Sequence, residues 1–215
     1  MTDNQSQNEF WRSAEEEICR ILKRTAALKF GTFKLSSGRV TPYYVDLRII
    51  PSFPDAFRKV SEIYVDAIRR EIGGKGFDRV SGIPLAGMAF AVLVAFHFNK
   101  PFLYVRQKRR LRGRERKVEG VLMPGDRVLL IDDLVTTGLS LERAALAIKA
   151  EGGVVTDAFV LLDREEGGRE RLARNGITLH SVLRITSVAK RLFEMNAIDE
   201  DRLEIILNQV KKKES

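Results

Sequence analysis

Apolar positions change their period several times along the chain. From Ser13 to Ala27 the spacing predicts a helix, with Ser13 as its N-cap and Glu15, Glu16 and Glu17 in its electropositive first turn. Phe30 to Leu47 is rich in Thr, Phe, Tyr and Val and is punctuated by Ser37-Gly38 and Pro42, as short strands joined by a turn would be. Phe57 to Arg70 returns to helical spacing and stops at Gly73-Gly74. Strand and helix then alternate. Arg79–Ile83 predicts a strand, Gly87–Phe98 a buried helix and Pro101–Val105 a strand; after a basic segment, Arg127–Ile131 predicts a strand and Ser140–Ala150 a helix. Val154–Leu162 and Gly176–Leu183 predict further strands, and Asp199–Lys211 a closing helix. Several of these strands are continuously apolar instead of alternating, so both their faces are covered. The expected fold class is therefore α/β, with a mostly parallel central sheet flanked by helices.

Composition narrows this picture without changing it. A chain of 215 residues has room for one domain, or one domain and a small accessory lobe. The longest apolar stretch, Ala86 to Phe98, is interrupted by His97 and is too short to span a bilayer. The polar opening Met1-Thr2-Asp3-Asn4-Gln5 lacks the build of a signal peptide, and Cys19 is the single cysteine, which together favour the cytosol. Cys19 reads as a small core residue of the first helix, and His97 and His180 as structural residues of separate elements.

Charge carries more information. Most of the formal net charge of +8 comes from one segment, where Arg106, Lys108, Arg109, Arg110, Arg112, Arg114, Arg116 and Lys117 face only Glu115. Such a patch calls for a concentrated anion, either a polyphosphate or a nucleic-acid backbone. The segment has no interleaved aromatics for stacking on bases, and residues 1–28 have room for about one good helix, which speaks against a nucleic-acid reader.

The stretch Val128-Leu129-Leu130-Ile131-Asp132-Asp133-Leu134-Val135-Thr136-Thr137-Gly138 carries the chemistry. A buried strand ends in two adjacent carboxylates, a Thr-Thr-Gly turn follows, and a helix begins near Ser140. Ligands bind at such strand ends in open α/β sheets, and a helix N-terminus accepts phosphate. Gly138 allows close backbone approach while Thr136 and Thr137 add hydroxyl donors. Carboxylates beside a phosphate cradle suit a ligand with hydroxyls or a metal at one end and a phosphate at the other.

On these residues, Ile131 to Gly138 resembles the signature of type I phosphoribosyltransferases, which bind 5-phosphoribosyl 1-diphosphate (PRPP). Three further segments are similar to the orotate phosphoribosyltransferases among them. Phe30 to Arg39 and Pro42-Tyr43-Tyr44-Val45-Asp46 resemble that family's orotate-binding hood, and Gly82-Ile83-Pro84-Leu85-Ala86-Gly87 its pyrophosphate loop. Leu162-Asp163-Arg164-Glu165-Glu166-Gly167-Gly168 resembles the segment whose arginine meets the orotate carboxylate.

The resemblance implies a Mg²⁺-dependent transfer of 5-phosphoribosyl from PRPP to orotate, in a cytosolic homodimer. It implies that Asp132 and Asp133 hold the ribose hydroxyls and steady positive charge at the anomeric carbon, with Mg²⁺ carried on PRPP nearby and not ligated directly by side chains. Thr136, Thr137, Gly138, Leu139 and Ser140 would bind the 5′-phosphate, Thr136 and Arg164 would contact orotate, and Tyr43 and Tyr44 would belong to the hood. Residues 1–55 would form the N-terminal helix and hood, and 56–215 the PRPP-binding core with a mobile basic loop at 106–118. In that loop Arg106, Gln107 and Arg112 would bind substrate and Arg110 would act in catalysis.

The loop departs from the family pattern. Gln107 stands where a lysine is expected, Arg110 at the position of the catalytic lysine and Arg112 at that of a histidine. Arginine keeps the charge and can clamp a phosphate, but with a pKa above about 12 it does not readily donate a proton. Two alternatives stay in play, the first motivated by these substitutions. One is a non-catalytic, regulatory PRPP-binding relative that has lost the loop chemistry and is open to nucleic-acid binding. The other is a phosphoribosyltransferase for another base.

Overall fold

The computed structural model describes residues 2–34, 40–106 and 117–211. Its centre is a six-stranded sheet of β3 (Arg79–Gly82), β4 (Phe102–Val105), β5 (Val118–Glu119), β6 (Val128–Val135), β7 (Asp157–Asp163) and β8 (Thr178–Arg184). The strand order is β5-β4-β3-β6-β7-β8. Within this sheet only the β4–β5 pair, at one edge, is antiparallel. The chain moves outward from β3 to β4, then returns to the other side of β3 as β6. The reversal of strand order therefore lies between β3 and β6, where an open α/β sheet leaves a crevice at its carboxyl ends.

Helices cover both faces. On one side α1 (Thr2–Thr25), α2 (Pro54–Glu71), α3 (Ala86–His97), α6 (Ile185–Glu194) and α7 (Glu200–Lys211) enclose the larger core; on the other α4 (Leu139–Ala150) and α5 (Gly168–Ala173) enclose a smaller one. β6 is buried along nearly its whole length because it is central and covered on both faces. A separate antiparallel pair, β1 (Leu28–Lys34) and β2 (Val40–Val45), forms a two-stranded sheet. A 3₁₀ turn at Leu47–Ser52, with Leu47 and Ile50 buried in the larger core, ties this hairpin to α2.

The expected parallel α/β architecture is present, with shifts at its boundaries. α1 starts at Thr2, well before Ser13, because Phe10 and Trp11 pack onto the core and extend its buried stripe; Phe10 also lies under Arg70, 4.4 Å from its guanidinium carbon. β6 runs past Ile131 to Val135, so the two aspartates sit inside the strand. β7 begins at Asp157 instead of Val154. The pattern does not predict α5 or α6. Among the described residues no helix is long and apolar enough to cross a membrane.

Candidate active site

β6 carries Asp132 and Asp133 to the carboxyl end of the sheet, beside the switch point, and leaves them only 8% and 7% exposed. The Asp133 N–H donates to Asp132 Oδ1 at 3.0 Å. The Tyr64 hydroxyl of α2 donates to the Asp132 carbonyl. Tyr64 is itself stacked on Phe90 of α3 at 5.5 Å and tilted against Phe159 of β7 at 6.1 Å, which fixes its hydroxyl. Gly87, in the first turn of α3, leaves no space for a side chain: a Cβ there would come within 2.8 Å of the Asp132 Cα and Oδ1.

Burial pushes both carboxyls above the usual carboxylate range. For Asp132 the neighbouring Asp133 adds to the rise; for Asp133 the effect of burial is opposed by hydrogen bonds, foremost from Asp132, and by the charge of Arg48. Burial thus disfavours the charged form of both acids, and a cation or hydroxyl donors reaching them would favour it.

After Val135 the chain turns through Thr136 and Thr137, both half-buried, to Gly138 at φ 74°, and enters α4 at Leu139. Gly138 meets this left-handed conformation without Cβ strain. No described side chain caps α4, so its leading amides are left for an anion. Leu139 and Ser140 are exposed there. Next to β6, the loop after β3 is anchored where the Ile83 N–H donates to Ile131 O at 3.0 Å, and Leu85 at its apex is exposed.

Arg164 follows β7 and its N–H donates to Val135 O at 3.0 Å, joining it to the same turn. Its side chain is 1% exposed. The guanidinium ion-pairs with Glu166 at 3.0 Å, donates to Thr41 Oγ1 at 3.3 Å and lies over the Tyr43 ring. Arg164 Nε has no hydrogen-bond partner among the described residues, a buried donor open to an acceptor. Tyr43 is buried, and burial pushes its phenol up against the opposing charge of Arg164. Tyr44, on the next position of β2, is half-buried and accepts from Arg48 at 2.8 Å.

The carboxyl ends of β6 and β7 and the hairpin thus bring together Asp132, Asp133, the Thr136–Ser140 turn, Arg164 and Tyr43, while Tyr44 meets Arg48 and Phe33 instead. Arg106 closes β4: its N–H donates to Lys117 O at 3.0 Å and its side chain pairs with Glu119 at 2.9 Å. Gln107, Arg110 and Arg112 lie outside the described residues. Sequence reasoning missed Tyr64 and Arg48, whose partners are set by tertiary packing and leave no local signature. Among the residues expected to be structural, Cys19 is buried and its thiol is pushed up to about 12, chiefly by burial. His180 is paired to Asp157 at 2.7 Å and stacked on Phe159, and His97 meets Arg69 at 2.9 Å.

Residues 50–188 match the family model of the phosphoribosyl transferase domain. Over 200 residues, 93% of this chain and 96% of the relative, the sequence is 41% identical to an orotate phosphoribosyltransferase of Staphylothermus marinus. Among solved structures, orotate phosphoribosyltransferase from Aeropyrum pernix superposes with a TM-score of 0.71 at 30% identity, covering 81% of this chain and 98% of that one. Leishmania donovani UMP synthase superposes with a TM-score of 0.81 at 28% identity, covering 92% of this chain and 42% of that longer one. With a domain match over most of its length and such relatives over nearly all of it, the chain belongs to the orotate phosphoribosyltransferases of the phosphoribosyl transferase domain family.

Proposed function

We propose that this chain transfers the 5-phosphoribosyl group of PRPP to orotate, giving orotidine 5′-monophosphate and diphosphate. The observation that carries this reading is the buried pair Asp132-Asp133 directly followed by the uncapped start of α4. The pair would accept hydrogen bonds from the ribose hydroxyls, and the Thr136–Ser140 turn would hold the 5′-phosphate on backbone amides and hydroxyls. The deprotonated ring nitrogen of orotate, its N–H proton having passed to solvent, forms the new bond to the anomeric carbon as the bond to diphosphate breaks, and the bonding pair leaves with diphosphate. Positive charge grows on the ribose in between, where Asp132 and Asp133 stabilise it better than they stabilise the ground state. Arg164, with its unpartnered Nε, would take the orotate carboxylate beneath the hood.

The residues fit Mg²⁺ arriving with PRPP, since the site offers paired hard oxygen donors whose burial disfavours their charge until a cation comes. When bound, Mg²⁺ would neutralise diphosphate oxygens and favour their departure. In this reading residues 1–55 carry the helix and hood, residues 56–215 the PRPP-binding body, and the basic segment 106–118 closes over diphosphate with Arg110 in the place of the expected lysine. The enzyme would work in the cytosol as a homodimer, with the basic segment reaching across its interface.

The test is the fall in orotate absorbance when PRPP and Mg²⁺ are added to the purified chain. A sustained PRPP-dependent rate is the expected result. PRPP binding by calorimetry with no orotate consumption would instead favour a non-catalytic relative or another base.

A further inference from the structure

Arg48 sits at the start of the 3₁₀ turn that joins hairpin to body, and Leu47 and Ile50 of that turn are buried, so its backbone is fixed in the larger core. Its side chain reaches back to the hairpin. Nε donates to Asp46 Oδ1 at 2.7 Å, while Nη2 donates to Asp46 Oδ2 at 3.0 Å and to the Tyr44 hydroxyl at 2.8 Å. The guanidinium carbon stands 5.8 Å from the centroid of the Tyr44 ring, and that ring rests against Phe33 of β1 at 5.6 Å. One planar fork therefore ties Tyr44 and Asp46, at the end of β2, to the turn that leads into the body, while Tyr44 in turn rests on β1.

We propose that Arg48 is a positioning residue that sets the hood over the acid pair, so that base and anomeric carbon meet in register; this role rests on the functional reading above. A surface ion pair without function would be worth about 0–1 kcal/mol and would tolerate lysine. The Arg48 side chain is 57% exposed, but its fork holds a carboxylate with two donors and a phenol with one of the same two, a geometry a lysine ammonium does not reproduce. Its expected effect is on alignment, where a displacement of about 1 Å costs on the order of 100-fold in rate.

The experiment compares Arg48→Lys, Arg48→Met and Tyr44→Phe with the wild type, using steady-state kinetics in orotate and calorimetric titration of PRPP with Mg²⁺. Melting midpoints equal to the wild type establish that the variants fold. Both Arg48 variants are expected to lose on the order of tenfold or more in kcat/KM for orotate, with the PRPP Kd unchanged within about twofold. Tyr44→Phe should move the same way by less, and should add nothing in the Arg48→Met background. Wild-type kinetics in Arg48→Met would overturn the proposal. So would an Arg48→Lys variant that matches the wild type, which would reduce the residue to a charge, or a PRPP Kd that weakens as much as the orotate parameters. A wild-type chain that binds PRPP but consumes no orotate would remove the functional reading itself, and the positioning role with it.

Discussion

The guanidinium of Arg164 lies 4.6 Å over the ring centroid of Tyr43, at the seam where hairpin and central sheet meet. The pair is buried together with Glu166, so Arg164 has two duties: it balances a buried carboxylate and it is the expected partner of the substrate carboxylate. Arg164→Ala should therefore act twice. Leaving Glu166 buried without Arg164 should cost about 3–5 kcal/mol of stability, read from urea unfolding, and Arg164→Ala/Glu166→Ala should cost less than the two single changes added together. In the surviving folded fraction the KM for orotate should rise about 10- to 100-fold, far more than the KM for PRPP.

The acid pair predicts a pH dependence of stability. Both carboxyls are raised above their unfolded values by burial, so the native state holds protons that the unfolded chain has released. Their contribution is fully present below the unfolded value of about 3.9 and is lost as pH rises through the folded values. Asp132→Asn should accordingly leave the unliganded chain at pH 7 as stable as the wild type or more so, in thermal melts. Under the proposed reaction it should also lower kcat by about 100-fold, since the carboxylate that would face the transition state is gone.

Binding of a cation at the acid pair should release protons. Titration of PRPP and Mg²⁺ into the chain near neutral pH, repeated in two buffers of different ionisation enthalpy, should show net proton release that shrinks in Asp132→Asn. Identical enthalpies in both buffers for the wild type would show that the pair is already ionised.

Gly87→Ala should disturb the acid pair. Its Cβ would come within 2.7 Å of Ile131 O and 2.8 Å of Asp132, and both obstacles are rigid strand. Overpacking of this kind costs about 1–3 kcal/mol, and the accompanying shift of β6 should reduce kcat at saturating substrates. Urea unfolding and saturation kinetics check the two effects separately. Gly138→Ala should be tolerated no better, because φ there is 74° and a Cβ would meet Gly168 O at 3.0 Å.

The loop position can be tested by charge. Arg110→Lys should keep kcat within a few-fold, and Arg110→Met should lower it about 100-fold, as expected for a residue that stabilises departing diphosphate electrostatically. A large gain in Arg110→Lys would instead mark a proton donor.

Much of this was legible in the sequence because it is local. The continuous apolar run into Asp132-Asp133, the Thr-Thr-Gly turn and the helix beyond occupy consecutive positions, so strand, acid pair, turn and helix could be read in order. The continuation of β6 through both aspartates could not, since acidic residues do not mark a strand and the pairing is imposed by β7, which bonds alongside Asp132, Leu134 and Val135. α6 was hidden for another reason: it begins at Ile185 directly after Arg184 ends β8, with no turn residue to announce it. The contact of Arg164 with Thr41 spans 123 positions, and only the folded chain reveals that the hood rests on the end of β7 there.

The hairpin of β1 and β2 shares no strand with the central sheet. In evolutionary terms the hairpin is a separable part: a lineage can remodel its two strands without breaking any strand pairing of the sheet that carries Asp132 and Asp133.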